Sequence, residues 1–482
     1  MRTIRRRDFV RSMGIGAGVL ALSGCHAGAR SSAKHPPNIL FIMADDHAAH
    51  ALSCYGSTIN RTPNLDRIAQ EGVRLDNCFC TNSICAPSRA AILTGKYSHK
   101  NGLYNNAQTF DGSQPTFPKL LQHAGYQTAI VGKWHLKSDP TGFHYWNILP
   151  GQGEYHNPEL IEMGRKKRHT GYVTDLITDF SIRFLEDRDT TRPFCLLTHH
   201  KAPHRNWQPD LKHAALFEEK DIPLPATYDD DYNTRGTAAH EAEMRILDHL
   251  DAKDVKSEFP QGMSDTELKY WKYQRYIKDY LRTVASIDEN TGRLLDYLDR
   301  AGLTENTLVI YTSDQGFFLG DHGWFDKRFM YEESLRMPFI ARFPQEIRPG
   351  SSSDAMVLNV DFAPTLLSFA GRPAPDDMQG RSARTVLAGR TPRNWRTTMY
   401  YHYYEYPSVH MVRRHYGVRT NRHKLIHFYG DVDEWELYDI EKDPHELHNV
   451  YSDPAYAAIR NNLENELRRL RAELEVPEQD QV

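Results

Sequence analysis

Four short apolar runs in this chain each stop abruptly at charged or imidazole side chains. Asn38–Met43 leads into Ala44-Asp45-Asp46-His47, and Thr128–Val131 into Gly132-Lys133-Trp134-His135. Phe194–Thr198 leads into His199-His200-Lys201-Ala202-Pro203-His204-Arg205, and Thr307–Thr312 into Ser313-Asp314-Gln315-Gly316. An apolar run without alternation suits a strand covered on both faces, as in a parallel sheet. Between the runs lie segments of helical spacing: Leu65, Ile68 and Ala69 after Thr62-Pro63-Asn64, a stretch over Pro118–Ala124, and Val173, Ile177, Phe180 and Phe184. Strand and helix in alternation predict a doubly wound α/β sheet, in which ligands bind beyond the carboxyl ends of the strands. One site assembled from distant parts of the chain is expected.

The stretch Cys85-Ala86-Pro87-Ser88-Arg89-Ala90-Ala91-Ile92-Leu93-Thr94-Gly95 supplies a reactive group. Proline is tolerated in a first helical turn and glycine closes a helix, which places Cys85 at a helix N-terminus where an anion is favoured. Arg89 follows at i+4, on the same face one turn on. A reactive side chain and a guanidinium are thus brought together.

Asp45, Asp46, Asp314 and Gln315 form an all-oxygen donor set, which selects calcium or magnesium over zinc. Lys133, His135, His204 and Lys327 add cations and groups able to move protons near neutral pH. Such a set suits an anionic tetrahedral substrate whose charge is spread over a metal and cations.

The chain begins with Arg5-Arg6-Arg7-Asp8-Phe9-Val10-Arg11, an apolar run from Met13 to Leu22, and Leu22-Ser23-Gly24-Cys25. This resembles a twin-arginine signal ending in a lipobox over residues 1–25, with Cys25 lipidated and a polar tether over 26–37. An exported protein is expected, in the periplasm or at the outer surface, touching a bacterial membrane only through that anchor. With a net charge of −4 the chain is no general nucleic-acid binder. Cys54, Cys78, Cys80 and Cys195 lack zinc-site spacing, and one disulfide among them is left open.

Residues 206–262 are polar and without clear period, and read as a surface excursion. Ser264 with Glu267 forms a capping box opening an aromatic-rich helix (Tyr270, Trp271, Tyr273, Tyr276, Tyr280) whose stripe reads as core packing. A further helix is expected over Asp361–Gly371. Beyond Arg381 the texture becomes short strands at Thr397–Tyr404, His415–Arg419, Lys424–Phe428 and Glu436–Tyr438, then an amphipathic helix from Ala455 to about Leu474. We therefore expect a catalytic α/β domain over 38–380 and a smaller antiparallel-sheet α+β subdomain over 381–482.

Cys85-Ala86-Pro87-Ser88-Arg89 with Leu93-Thr94-Gly95 resembles the C-x-P-S-R-…-T-G signature of the type I sulfatases, and Gly125–His135 resembles the second signature of that family. Asn38–Asp46 and Ser313–Gly316 are similar to its metal strands, and Arg419-Thr420-Asn421, Lys424-Leu425 and Glu436–Asp439 to its C-terminal subdomain. The resemblance implies an alkaline-phosphatase-like fold, a calcium site, and oxidation of Cys85 to formylglycine by a maturation enzyme. It further implies that one hydroxyl of the hydrated aldehyde attacks sulfur while Arg89 and Lys133 hold the diol and sulfate. His204 and Lys327 would then serve the leaving alkoxide, and His135 would take a proton from the second hydroxyl to expel sulfate. Gln315 replaces the commoner asparagine, an equivalent carbonyl on a longer arm.

His199–Trp207, Asp314–Gly323 and Tyr401–Pro407 resemble the bacterial branch that includes N-acetylglucosamine-6-sulfatases. The substrate implied is a sulfated saccharide, with Asp321, His322, His402, Glu405 and His410 as candidate sugar contacts. Surface ion pairs and the core of a small sheet would use the same residue types. Uronate 2-sulfates, algal polysaccharides and, within the superfamily, phosphodiesters or phosphonates are the alternative substrates.

Overall fold

The computed structural model describes residues 36–478. Its strands, in chain order, are β1 (Asn38–Ala44), β2 (Val73–Leu75), β3 (Cys78–Phe79), β4 (Gln127–Lys133), β5 (Tyr145–Leu149), β6 (Glu159–Glu162), β7 (Arg165–Arg168) and β8 (Phe194–His199). They continue with β9 (Thr307–Ser313), β10 (Phe339–Arg342), β11 (Ser351–Ser353), β12 (Val357–Leu358), β13 (Thr398–Tyr403), β14 (His415–Thr420), β15 (His423–Phe428) and β16 (Glu434–Asp439). All four apolar runs are strands, and they are neighbours: the large sheet has the order β11-β2-β10-β9-β1-β8-β4-β5-β6-β7. From β9 to β5 the pairing is parallel; β10 and the β6–β7 hairpin join antiparallel. The expected α/β sheet flanked by helices is thus present, with mixed edges.

Strand β1 shows why its sequence does not alternate in polarity. Ile39, Phe41 and Met43 enter one apolar cluster and Leu40, Ile42 and Ala44 another, all at 0% exposure. Successive side chains point to opposite faces, and both faces are covered by helices. Only past Ala44, where the strand ends, does the chain become polar.

The C-terminal sheet is an antiparallel meander, β13-β14-β15-β16. Leu463, Leu467 and Leu470 of the helix Ala457–Glu473 recur at helical spacing and are buried with Met399, Tyr400, Val418 and Leu425 of that sheet. Their cluster is continuous with the one holding Ile39 and Phe41, so this subdomain shares its core with the large sheet.

The stretch 206–262 differs from a surface excursion. It forms short helices at Thr237–Glu241, Ile246–His249 and Ala252–Val255, and it buries Trp207, Ile222, Tyr228, Ile246 and Leu250. These side chains pack on Tyr273, Tyr276 and Tyr280 of the 36-residue helix Asp265–Arg300, with the Trp207 and Tyr276 ring centroids 4.5 Å apart. The aromatic stripe is core packing as expected, and the capping box of Ser264 and Glu267 forms. Apolar residues in 206–262 are too irregularly spaced to show a period; the aromatic helix gives them a surface to cover. At the helix Pro63–Gln70, Thr62 makes no side-chain cap. Asp288 of the long helix takes that part, accepting from the backbone of Asn64 (3.0 Å) and Leu65 (2.9 Å).

Cys54, Cys78, Cys80, Cys85 and Cys195 are all free, so none of the described cysteines forms the disulfide left open by the sequence. No helix among the described residues is long and apolar enough to cross a membrane. The signal, lipobox and most of the tether lie outside the described residues.

Candidate active site

The helix Cys85–Thr94 is buried along its whole length. Ile84 precedes it in extended conformation, Pro87 lies in its first turn, and Gly95 closes it at φ 67°, the left-handed conformation glycine favours. Asn106 Oδ1 accepts from the free backbone N–H of Ala86 at 3.0 Å. One turn on, the Arg89 guanidinium donates through Nε to Asp314 Oδ2 at 2.9 Å and through Nη1 to the Lys133 carbonyl at 2.7 Å. Its Nη2 lies 3.7 Å from Asp45 Oδ1. One side chain thereby ties the Cys85 helix to the ends of β1, β4 and β9. Gly132, just before Lys133, has φ 105°, and a Cβ there would fall 2.0 Å from the His199 carbonyl oxygen. Only glycine lets β4 approach β8 so closely at this end.

Asp45, Asp46 and Asp314 offer carboxylate oxygens within 4.8 Å of one another. Asp46 adopts φ 68°, turning the chain out of β1. Its backbone is held by Asp314 Oδ1, which accepts from the Asp46 N–H at 3.1 Å, and by Tyr280, whose hydroxyl donates to the Asp46 carbonyl at 2.8 Å. Lys133 pairs with Asp45 and donates to Gln152 Oε1 at 2.5 Å. Lys327 reaches both oxygens of Asp46 at 2.6 Å. Gln315 donates to Asp46 and lies 4.0 Å from Cys85 Sγ. Asp45 Oδ1 and Gln315 Oε1 are buried and take no hydrogen bond. Unsatisfied oxygen acceptors among three carboxylates fit a hard divalent cation, which takes six to eight oxygens as calcium.

Burial alone would raise all three carboxyls. For Asp45 the nearby Lys133, with His204, Arg89 and Lys327, reverses this and holds it well below the usual range. For Asp46 burial outweighs Lys327, and burial with the Asp45 charge lifts Asp314 to about 7. Desolvation pushes the Cys85 thiol far up, Lys327 notwithstanding. An unmodified Cys85 is therefore a neutral thiol and a weak nucleophile.

His204 Nε2 lies 3.8 Å from Asp46 Oδ2, and atoms of Asp45, Cys85 and His204 converge within 4.8 Å. Its Nδ1 faces the Arg205 carbonyl at 2.6 Å, which assigns the proton of the neutral ring to Nδ1. His135 sits at φ 56°, and burial followed by the Lys133 charge brings it down to about 2. It is therefore neutral at working pH. Cys85 and Arg89 from one helix, Lys133 and His135 from the end of β4, and His204 and Lys327 from two loops thus gather around the acidic trio.

Of the expected sugar contacts, Glu405 and His410 are linked through Asn106 to the Cys85 helix, and Asp321, His322 and His402 have other partners. Glu405 accepts from the Asn106 N–H at 2.8 Å and pairs with His410 at 3.2 Å, so Asn106 bridges it to the Cys85 helix. Asn105–Ala107, Tyr404–Ser408 and Arg414 line a cavity of about 450 Å³ there. His322 is buried against Asp230 (2.7 Å) and Glu333 (3.8 Å), and Asp321 faces His50 at 3.5 Å. His402 is packed within the C-terminal sheet between the hydroxyls of Tyr400 and Tyr429, each at 2.8 Å.

Four residues at the site escaped the sequence reading. Asn106 and Gln152 lie on loops and carry no motif. Lys201 was visible at a strand end; it is buried with its ammonium 4.8 Å over the Tyr155 ring, and burial followed by the Lys133 charge lowers it to about 7. Arg328 follows Lys327 at φ 92° and pairs with Asp326.

Residues 37–372 match the sulfatase family model, and residues 320–473 match that of the C-terminal part of N-sulphoglucosamine sulphohydrolase. The chain belongs to the sulfatase family. It is a sulfuric ester hydrolase, resembling the N-acetylglucosamine-6-O-sulfatase of Bacteroides thetaiotaomicron, with 49% identity over 489 residues, 92% of this chain and 88% of that protein. Human N-acetylglucosamine-6-sulfatase is 27% identical over 415 residues, 80% of this sulfatase and 70% of the human protein. A solved structure in complex with its substrate D-glucosamine-2-N,6-O-disulfate superposes with a TM-score of 0.91 at 48% identity, covering 92% of this chain and 99% of that one. The phosphonate monoester hydrolase of Agrobacterium radiobacter has a TM-score of 0.76 at 23% identity, covering 91% and 96%, and shares the fold.

Proposed function

We propose that this sulfatase removes the 6-O-sulfate of N-acetylglucosamine in glycosaminoglycan or mucin-type glycans, as an exported, lipid-anchored enzyme dependent on calcium and on formylglycine at position 85. The observation that carries this reading is the convergence of Cys85, Asp45 and His204 within 4.8 Å, in a chain 49% identical to an N-acetylglucosamine-6-O-sulfatase. Oxidised to formylglycine and hydrated, residue 85 supplies a hydroxyl nucleophile in place of the neutral thiol. Asp45, Asp46, Asp314 and Gln315 would hold calcium, which spreads the negative charge of the sulfate when bound. Arg89 and Lys133 orient the sulfate, each already fixed by a carboxylate. Lys327 and His204 stand beside Asp46; the Lys327 ammonium offers the leaving oxygen positive charge and a proton, with the neutral His204 ring beside it. His135, held neutral, accepts the proton whose removal frees the product sulfate. Glu405 lines the cavity proposed for the sugar, with His410 paired to it from behind.

Defined saccharides with free sulfate as readout test this reading. Release from 6-sulfated N-acetylglucosamine is expected, and from uronate 2-sulfates or aryl phosphodiesters at least a hundredfold less. Release from the uronate alone would overturn the substrate, and hydrolysis of the phosphodiester alone the reaction class. For the anchor, Cys25→Ala is expected to move the protein from the membrane fraction to the soluble one.

A further inference from the structure

Away from the catalytic centre, the stretch 206–262 and the long helix Asp265–Arg300 meet at a second group of ligating side chains. Asp210, His213 and Glu289 each offer one atom, all within 4.8 Å of one another. Asp210 is 5% exposed; its Oδ1 accepts from the Lys212 N–H at 2.7 Å, while its Oδ2 is buried and accepts no hydrogen bond. That oxygen points into the group, 3.6 Å from His213 Nδ1 and 3.3 Å from the Lys212 ammonium. His213 Nε2 lies 3.3 Å from Glu289 Oε2, and Ser286 Oγ lies 3.1 Å from His213 Nδ1.

Lys212 is the cation of this group, touching Asp175, Asp210 and Glu289 at 3.0–3.3 Å. One ammonium against three carboxylates leaves the group short of positive charge. The Lys212 side chain is 47% exposed. A long exposed side chain swings into solvent at small cost, since it regains rotamer freedom there. With Asp175 accepting from Asn290, the grouped donors are then one imidazole and two carboxylates, a set that suits zinc and similar divalent ions with water completing the shell. Calcium prefers oxygen alone and is disfavoured by the imidazole.

We propose that Asp210, His213 and Glu289 form a site for a zinc-class divalent ion that clips the stretch following His204 to the long helix. Asp210 and His213 lie six and nine residues after His204. The clip anchors the chain just beyond that histidine to a rigid element, as an outer fastening of the catalytic loop.

The test uses the full-length protein, stripped of metal, saturated with calcium and titrated with zinc by calorimetry. One zinc equivalent is expected in the wild type, with affinity at least tenfold weaker in His213→Ala and in Glu289→Gln, as for loss of a metal-site group. Lys212→Gln removes the competing cation and is expected to bind zinc more tightly. Zinc should raise the thermal midpoint of the wild type and of Lys212→Gln but not of His213→Ala. Sulfate release without zinc should be unchanged in all three, which shows that each variant is folded. Equal zinc binding by the wild type and His213→Ala would overturn the proposal, as would the absence of binding in both the wild type and Lys212→Gln.

Discussion

Lys327 spans both carboxylate oxygens of Asp46 with one buried ammonium, 2.6 Å from each. A cation there competes with any metal that Asp46 would bind, and it also stands ready beside Cys85. Replacing it with methionine separates the two effects. Lys327→Met should lower kcat/KM by roughly 10²–10³-fold, the scale of losing one charge-stabilising group. The same change should tighten calcium by at least about tenfold, since a unit positive charge some 4 Å away is removed from a buried site. Calorimetric calcium titration beside kinetics checks both signs.

Calcium should stabilise the folded chain by mass action. At a hundredfold excess over its Kd the gain is about 2.7 kcal/mol, worth roughly 3–5 °C in thermal midpoint. Asp314→Asn should abolish most of this shift, and magnesium, which demands tighter geometry, should reproduce only part of it. Differential scanning with and without chelator is the measurement.

The oxidation proposed for Cys85 would replace its sulfur by oxygen. Peptide mass spectrometry of active protein should find the aldehyde, not the thiol, at position 85. Cys85→Ala should fold with an unchanged thermal midpoint and release sulfate at least about 10³-fold more slowly. An active alanine variant would remove Cys85 from the chemistry.

His322 provides a titration clear of the acidic trio. Burial lowers its proton affinity, but Asp230 and Glu333 more than restore it and raise the imidazolium to about 9. Its contribution is on the order of 3 kcal/mol, fully present below about pH 6.5 and lost as the pH rises through 9. Chemical denaturation between pH 6 and 10 should show this loss in the wild type. In His322→Gln the stability should be lower at pH 6 and nearly flat over that interval.

The central strands and their polar ends were legible because burial on both faces leaves an unmistakable run such as Ile39–Met43, and chemistry can begin only where such a run stops. Cys85 and Arg89 were legible for a similar local reason, helical spacing behind a proline. Asn106 and Gln152 were not: each reaches the site from a loop placed by contacts far away in sequence. For His322 and His402 the sequence could not show their partners: His322 lies against Asp230, and His402 between Tyr400 and Tyr429. The stretch 206–262 hid its core in irregular spacing, because its partner, the Tyr273–Tyr280 stripe, supplies the order.

The buried helix that begins at Cys85 has a temporal consequence. With Cys85 1% exposed and Ala86 capped by Asn106, no enzyme can reach that sulfur once the chain has closed around it. The oxidation proposed for Cys85 would therefore have to precede folding. A preparation would then mix active and inert copies of one fold, its specific activity set during synthesis, and only unfolding would reopen the choice.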